Sequence, residues 1–482
     1  MKEAAGLLAF YAALAFAAPA QTFTTLDSFD GADGAQPWGA LVQATNGYLY
    51  GTTYAGGAGG TACGRPGCGT VFEVSPSGTL TTLHSFDGAD GKFPYAALVQ
   101  ASNGDLHGST SAGGAHGYGT IFAITLSGTL TTLYNFCSET GCPDGSGTRA
   151  ALIQATNGDL YGTTESGGAN DGGTVFKITP RGTLTTLYNF CSLSGCADGS
   201  GPLAGLVQAV NGLLYGTTIG GGANGNFGTV FEITPGGALT TLYSFCSLSG
   251  CEDGQNPNTT LVQAAAPPHD PPYDGNFFGT TYSGGTDGVG TLFEITPTGA
   301  LSTLYSFPAQ GAPGPYPNAL IEGSDWNFYG TTQTGGTLST GAIFELHPVG
   351  FPATLYSFCP SGCSTSGQQP QSGLMQDTNG VFYGTGSYGG AENDGVIFSF
   401  SVPGLGPFVA TQPTAGAVGT AVRILGTGLT GATSVTFNGT AAVFTVVSSS
   451  EITTSVPAGA TSGKVEVATP NGTLSSSGFK VP

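Results

Sequence analysis

Ten cysteines stand in five close pairs, Cys63/Cys68, Cys137/Cys142, Cys191/Cys196, Cys246/Cys251 and Cys359/Cys363. Thiols this near one another either close local disulfides or hold a metal. None of the pairs has a second pair or a histidine at finger spacing nearby. Disulfides are therefore expected, which implies an exported chain. Oxygen ligands are the next resource. "DGADG" at 30–34 and 87–91 supplies Asp30, Asp33, Asp87 and Asp90, and "PDG", "ADG" and "EDG" set Asp144, Asp198 and Asp253 at the matching step. Such loops suit calcium, which takes roughly six to eight oxygens. Aspartate before glycine is also ordinary turn chemistry, and the alternating spacing of a dedicated calcium loop is missing. The turn reading is preferred, with calcium the one cofactor kept as an alternative.

Catalytic groups are sparse. The five histidines lie in unrelated contexts, and no G-x-S-x-G elbow precedes a helix. Glu73, Glu232, Glu294 and Glu345 recur at one place after phenylalanine, which reads as a solvated strand position. Polar residues that break the surrounding pattern are the better candidates for ligand contact: Tyr54, Arg65, Lys92, His116 and Arg149.

The elements that position them are set by composition and repetition. The chain has 482 residues, 84 of them glycine, with 39% hydrophobic and 8% charged residues, so short strands and tight turns are expected rather than long helices. The formal charge of −20 repels a phosphate backbone and excludes nucleic acid as a partner. The opening "MKEAAGLLAFYAALAFAAPA" reads as a signal peptide over 1–20, leaving no membrane span in the mature chain.

A "YGTT" landmark recurs at Tyr50, His107, Tyr161, Tyr215, Phe278, Tyr329 and Tyr383, at intervals of 57, 54, 54, 63, 51 and 54 residues. Each copy holds four strand-like segments; in the third they are 150–156, 159–165, 173–179 and 183–190. Asn157-Gly158 between the first two predicts a two-residue hairpin with left-handed dihedrals. Seven such copies predict a seven-bladed β-propeller over 21–402. The chain starts with a lone fourth strand at 22–29, and the seventh copy stops after its third at 395–400, so the two fragments are expected to complete one blade. A linker at 403–406 leads to six or seven alternating segments over 407–482, which fit an Ig-like β-sandwich. The fold class is therefore all-β.

One polar residue sits before each hairpin: Gln43, Gln100, Gln154, Gln208, Gln263, Glu322 and Gln376. In a propeller the first strand is innermost, so these seven are expected to ring the central channel. There they either bind a polar ligand or satisfy the backbone of their own turns, and the second use is favoured because every copy has one.

The segment "NGDLYGTTESGGANDGGTVFKITPRGTLTTLYNF", repeated over roughly 22–400, resembles the Gloeobacter/Verrucomicrobia-type tandem repeats of bacterial exported proteins. That resemblance implies export and no established activity. The tail, with "PTAGAVGTAVRILGTGL" and "SVTFNGTAAVFTVVSSSEITTSVP", resembles an IPT/TIG domain, which implies an Ig-like fold found in surface and carbohydrate-active proteins. The expected protein is a secreted or cell-surface monomer that binds without catalysis, its partner an extracellular glycan or surface protein. The alternative is a secreted carbohydrate-active enzyme, a glycoside hydrolase or lyase with paired carboxylates and an accessory Ig-like domain. Contact is expected on the face carrying the cysteines, because every cysteine lies in a second-to-third-strand or copy-to-copy loop.

Overall fold

The computed structural model describes residues 21–58, 63–64, 67–264, 275–347, 350–360, 362–363 and 366–481. The expected signal peptide, Arg65 and most of the insertion at 264–275 lie outside the described residues.

Among the described residues, 22–401 form seven four-stranded antiparallel sheets. Six are meanders in chain order, such as Ile153–Gln154, Leu160–Thr164, Thr174–Ile178 and Leu184–Asn189. The seventh takes Met375–Gln376, Phe382–Gly386 and Val396–Ser401 from one end of the chain and Thr22–Ser28 from the other. Thr22 faces Ser401 and Ser28 faces Val396 in that last pairing. First strands are only two residues long, shorter than expected, because the chain above them bonds to loops rather than to a neighbouring strand. The hairpin also differs from expectation. Gly158 is left-handed at φ 86° while Asn157 is not, and Gly158 N–H donates to Ala155 O as Ala155 N–H donates to Asp159 O. This is a longer turn with one left-handed glycine; Asn157 instead accepts from Asp159 N–H and donates to the Tyr161 hydroxyl.

The landmark tetrad explains why the segment repeats. In the first sheet the Tyr50 hydroxyl donates to Glu73 at 3.0 Å, so the repeated glutamate pairs with the landmark tyrosine rather than simply facing solvent. Gly51 lies over the Phe72 ring, and a Cβ there would sit 2.5 Å from Phe72 Cζ. The second threonine, Thr53, shares a 2.8 Å hydrogen bond with Thr70 across to the third strand.

The first threonine reaches the next sheet. Thr52 donates to Ala96 O (3.0 Å), and the matching hydroxyls of Ser109, Thr163, Thr217, Thr280 and Thr331 reach Ala150, Ala204, Thr259, Asn318 and Ser372 in the same way. Thr385, in the seventh sheet, donates back to Pro37 O of the first. Burial follows the same cycle. The phenylalanine ending each fourth strand packs edge-on against one in the next sheet's third strand, from Phe86–Phe122 at 5.3 Å to Phe358–Phe398 at 5.3 Å. Phe29–Phe72, at 5.2 Å, joins the seventh sheet to the first. Fully burying one such ring stabilises by roughly 1.5–3 kcal/mol, and an edge-on pair adds about 0.5–1.5 kcal/mol.

Residues 410–475 form two further four-stranded sheets over an apolar core that includes Val422, Ile424, Val435, Phe437, Ile452 and Val467. This unit is seated on the hairpin turns of three consecutive sheets. Phe408 N–H donates to Thr378 O (2.9 Å), Ser450 Oγ donates to Thr45 O (2.6 Å), and the Arg423 guanidinium bonds the carbonyls of Ala101 and Ser102.

Candidate functional site

Consecutive first strands touch: a Cβ on Gly39 would lie 2.7 Å from Ala96 O, and one on Gly373 would lie 2.9 Å from Ala319 O. First strands therefore line the inside of the cycle. Along the segment leading into the first of them Gly39 and Leu41 are buried and Trp38, Ala40 and Val42 are half-buried, the alternation of an extended segment with one face in the core. Each runs from the cysteine-bearing end to the hairpin end.

At the cysteine-bearing end one backbone feature recurs in every copy. Gln36, Phe93, Gly147, Gly201, Asn256, Tyr316 and Gln369 all have positive φ, between 50° and 68°. The carbonyl of each accepts from the backbone N–H of Tyr54, Ser111, Glu165, Ile219, Tyr282, Gln333 and Ser387 respectively. Only two of the seven left-handed positions are glycine. Holding a bulky side chain such as Phe93 or Tyr316 there costs on the order of 1 kcal/mol. The scaffold is thus constant, and the side chains it presents are not.

On the first three sheets those side chains form one cluster. Tyr54 lies between Trp38 (ring centroids 3.9 Å apart) and Phe93 (4.9 Å), and Tyr95 packs edge-on against Trp38 at 4.9 Å. The Arg149 guanidinium lies 5.4 Å from the Tyr95 ring centre and makes a 2.9 Å ion pair with Glu165. Lys92 sits 5.3 Å from the Phe93 ring centre. A second stack, Tyr282 on Tyr316 at 4.7 Å, occupies the fifth and sixth sheets. Burial pushes the Tyr95 phenol above its usual range, so it stays a neutral donor at physiological pH. Trp38 Nε1 and Asn258 Oδ1, which occupy the same position on the segments leading into two first strands, are buried without a hydrogen-bond partner among the described residues.

Three of the five residues singled out by sequence, Tyr54, Lys92 and Arg149, thus meet in one cluster. His116 is exposed on the Gly113–Tyr118 loop and does not join it. Trp38, Phe93, Tyr95 and Glu165 belong to the cluster and escape sequence reasoning. The signal is present at the position five residues before each glutamine, where Trp38, Tyr95, Arg149, Leu203, Asn258 and Gln371 all differ.

The other marked residues are occupied locally. Gln100 accepts from Thr45 N–H at the preceding sheet's hairpin and donates to Gly104 O at its own. Gln154, Gln208, Gln263 and Gln376 repeat the pattern with Ser102, Thr156, Val210 and Ser324. Gln43 closes it by accepting from Thr378 N–H and donating to Asp377. Glu322 holds the same position before its own hairpin. Five of these amides serve two turns each, where the sequence predicts one, and Gln43 serves the turn of the seventh sheet.

Asp30 accepts from Ala32 and Asp33 N–H, and Asp87 from Ala89 and Asp90 N–H. Asp33 and Asp90 accept from Asp30 and Asp87 N–H in return, and Asp90 also meets His84 Nε2 at 2.6 Å. These oxygens thus close their own turns. Among the described residues no group of three or more His, Cys, Asp or Glu side chains is arranged to hold a metal.

All five cysteine pairs are disulfide-bonded: Cys63–Cys68, Cys137–Cys142, Cys191–Cys196, Cys246–Cys251 and Cys359–Cys363. In a four-stranded meander the second-to-third and sheet-to-sheet loops share one end, so all ten cysteines lie at the entry just described. Their role is wider than the thiol pairing read from sequence, because the second cysteine of each pair also ties loops together through its main-chain carbonyl. Cys68 O accepts from Phe93 N–H, which fixes one residue of the cluster. Cys142 O accepts from Gly145 and Gly168 N–H, Cys196 O from Gly199 and Gly222, and Cys251 O from Gly254 and Gly285. Cys363 O accepts from Gly390 N–H. Each of these last four bonds a sheet-to-sheet loop to the second-to-third-strand loop that follows it in the chain.

The family described as Gloeobacter/Verrucomicrobia repeat matches residues 12–143, 62–267 and 271–444, and the IPT/TIG domain matches 408–481. No curated protein matches the chain. Among solved structures, a fungal alcohol oxidase of the AA5 family in complex with copper is similar at TM-score 0.51 and 13% identity, over 95% of this chain and 98% of that one. A gluconolactonase from Xanthomonas campestris is similar at TM-score 0.37 and 14% identity, over 66% of this chain and 89% of that one. At such identity the first likeness concerns the fold alone.

Proposed function

The chain belongs to the Gloeobacter/Verrucomicrobia repeat family and ends in an IPT/TIG domain, and from that premise we propose that it is a secreted or cell-surface protein that binds without catalysis. Its seven sheets are the blades of a β-propeller over 21–402, and the entry to the central channel on the cysteine-bearing face is the contact site. The observation that carries this reading is the gathering of unrepeated aromatic and charged side chains on backbone that is otherwise the same in every copy. Structural need explains what repeats; it does not explain Trp38, Tyr54, Tyr95 and Arg149 meeting at one end of the first strands.

Two further features support it. Glu165 is already paired with Arg149 and the aspartates of that face close their own turns, whereas glycoside hydrolysis uses two carboxylates that face the substrate. The C-terminal domain occupies the hairpin end, leaving the cysteine-bearing end as the open face. Local bridges and aspartate-closed turns keep that face in shape outside the cell.

The test is the mature chain screened against a glycan array and a panel of chromogenic glycosides. Saturable binding that falls in Arg149→Ala, with an unchanged melting temperature and no turnover, supports the proposal. Turnover of any glycoside refutes it.

A further inference from the structure

Resting on that reading of the entry, we infer that its ligand is a neutral oligosaccharide of several residues. A pyranose ring offers apolar C–H faces and a rim of hydroxyls, so it needs aromatic surface beside neutral donors and acceptors. The entry supplies both. Trp38, Tyr54 and Tyr95 are half-buried, keeping part of their surface toward solvent at the mouth. Asn258 and Gln371 add amides at the position that Trp38 holds in the first copy, Gln36 adds another from the left-handed position, and the Arg149–Glu165 ion pair is internally neutral.

Two unsatisfied groups sharpen the inference. Trp38 Nε1 is a donor and Asn258 Oδ1 an acceptor, both buried and unpartnered among the described residues, and both at the same position on the segment that leads into a first strand. A buried polar atom left unpaired is destabilising, so each gains most from a hydroxyl, which accepts from one and donates to the other. An apolar ligand relieves neither. A polyanion would meet a chain of formal charge −20. The second stack, Tyr282 on Tyr316, lies on different sheets from the first, so a ligand that touches both is longer than one sugar.

The protein contains two tryptophans, and Trp326 lies in a hairpin at the opposite end, so Trp326→Phe leaves Trp38 as the sole indole reporter. The mature full-length chain with this change is titrated with cellohexaose, xylohexaose, mannohexaose, maltohexaose, chitohexaose and the anionic hexagalacturonate. At least one neutral hexaose is expected to shift Trp38 emission saturably. Its affinity should fall about tenfold or more in Tyr54→Ala and in Tyr282→Ala. Asn258→Ala, which removes one acceptor and leaves both stacks, should weaken it less. Circular dichroism and melting temperature check that each variant folds.

Binding of hexagalacturonate alone, or no response to any neutral hexaose, overturns the oligosaccharide inference and leaves the entry as the contact site. Binding of a neutral hexaose that survives Tyr54→Ala but is lost in Tyr48→Ala, at the hairpin end, overturns the placement of the site instead.

Discussion

The Phe29 ring packs edge-on against Phe72 with centroids 5.2 Å apart and planes at 67°. Phe29 follows the N-terminal strand that completes the seventh sheet, and Phe72 belongs to the first sheet. The same contact recurs at the other joints, where it joins sheets consecutive in the chain. Phe29 and Phe72 are about as far apart in sequence as the partners at the other joints, so the long-range closure lies one strand earlier, where Thr22–Ser28 pairs with Val396–Ser401.

Closure should accordingly be the point at which the fold is most easily opened. Phe23 stacks on Tyr356 at 4.2 Å and lies 5.0 Å from Phe398. Phe23→Ala is expected to destabilise by about 3 kcal/mol, near the lower end for phenylalanine truncation because the ring is only partly buried. Removing 21–28 should expose the edge of Val396–Ser401 and cause aggregation. Denaturant unfolding and light scattering measure the two; a monomeric deletion variant of unchanged stability would contradict the pairing.

The glutamine bridges should behave as structural joints. Gln154 Oε1 accepts from Ser102 N–H at 2.7 Å and Nε2 donates to Gly158 O at 2.9 Å. Gln154→Ala leaves a donor and an acceptor to solvent or to nothing, an expected cost of about 1–3 kcal/mol read from the denaturation midpoint. Gln154→Glu keeps the acceptor and loses the donor, so it should fall between wild type and alanine.

The disulfides should matter locally. Peptide mapping is expected to find five bridges joining near neighbours and none between loops of different sheets. Replacing Cys191 and Cys196 together by serine should cost about 2 kcal/mol by the loop-entropy estimate for so short a ring. Asp198 accepts from Ser192 N–H, Ser192 Oγ and the Tyr188 hydroxyl in the same loop, so part of its shape should survive reduction. Adding Asp198→Ala should remove that remainder and raise protease sensitivity there.

Acid sensitivity should come partly from His107. It replaces the landmark tyrosine, faces Ala123 where four of the other copies have glutamate, and is fully buried with neither ring nitrogen hydrogen-bonded among the described residues. Burial lowers its pKa below 6.5, with Asp105 opposing the shift. The unfolded chain therefore takes up this proton first: the neutral ring's contribution is complete above pH 6.5 and is lost as pH falls from there through the folded-state value. His107→Phe, which places here the residue that Phe278 supplies at the same position of another copy, should raise the melting temperature, with the gain growing below about pH 6. Asp33 acts in the opposite sense. Burial raises its pKa from 3.8 to about 6, so the folded state holds the proton more tightly and stability falls as pH rises across that interval. Asp33→Asn should stabilise at pH 7.5 and have little effect near about pH 4. Melting curves across this range separate the two groups.

The features legible in the amino-acid order are those that repeat: four strands per copy, a left-handed glycine at every hairpin but that of Trp326, paired cysteines, and an N-terminal strand lacking partners of its own. Each rests on contacts within one copy or on a joint repeated from copy to copy, so a periodic pattern discloses it. Even there the Asn-Gly pair misleads, since backbone hydrogen bonds decide the turn. Glu73 and Glu345 look solvated in sequence because their partners, Tyr50 and Tyr329, lie across a strand pair. Tertiary structure alone decides what meets where copies differ. Trp38 and Tyr54 come from the first sheet, Phe93 and Tyr95 from the second, and Arg149 and Glu165 from the third. No spacing rule links them, because their proximity depends on how whole sheets stack about an axis. The seat of the C-terminal domain is equally hidden. Arg423 binds carbonyls at 101 and 102, groups that every residue possesses and that no side-chain pattern could single out.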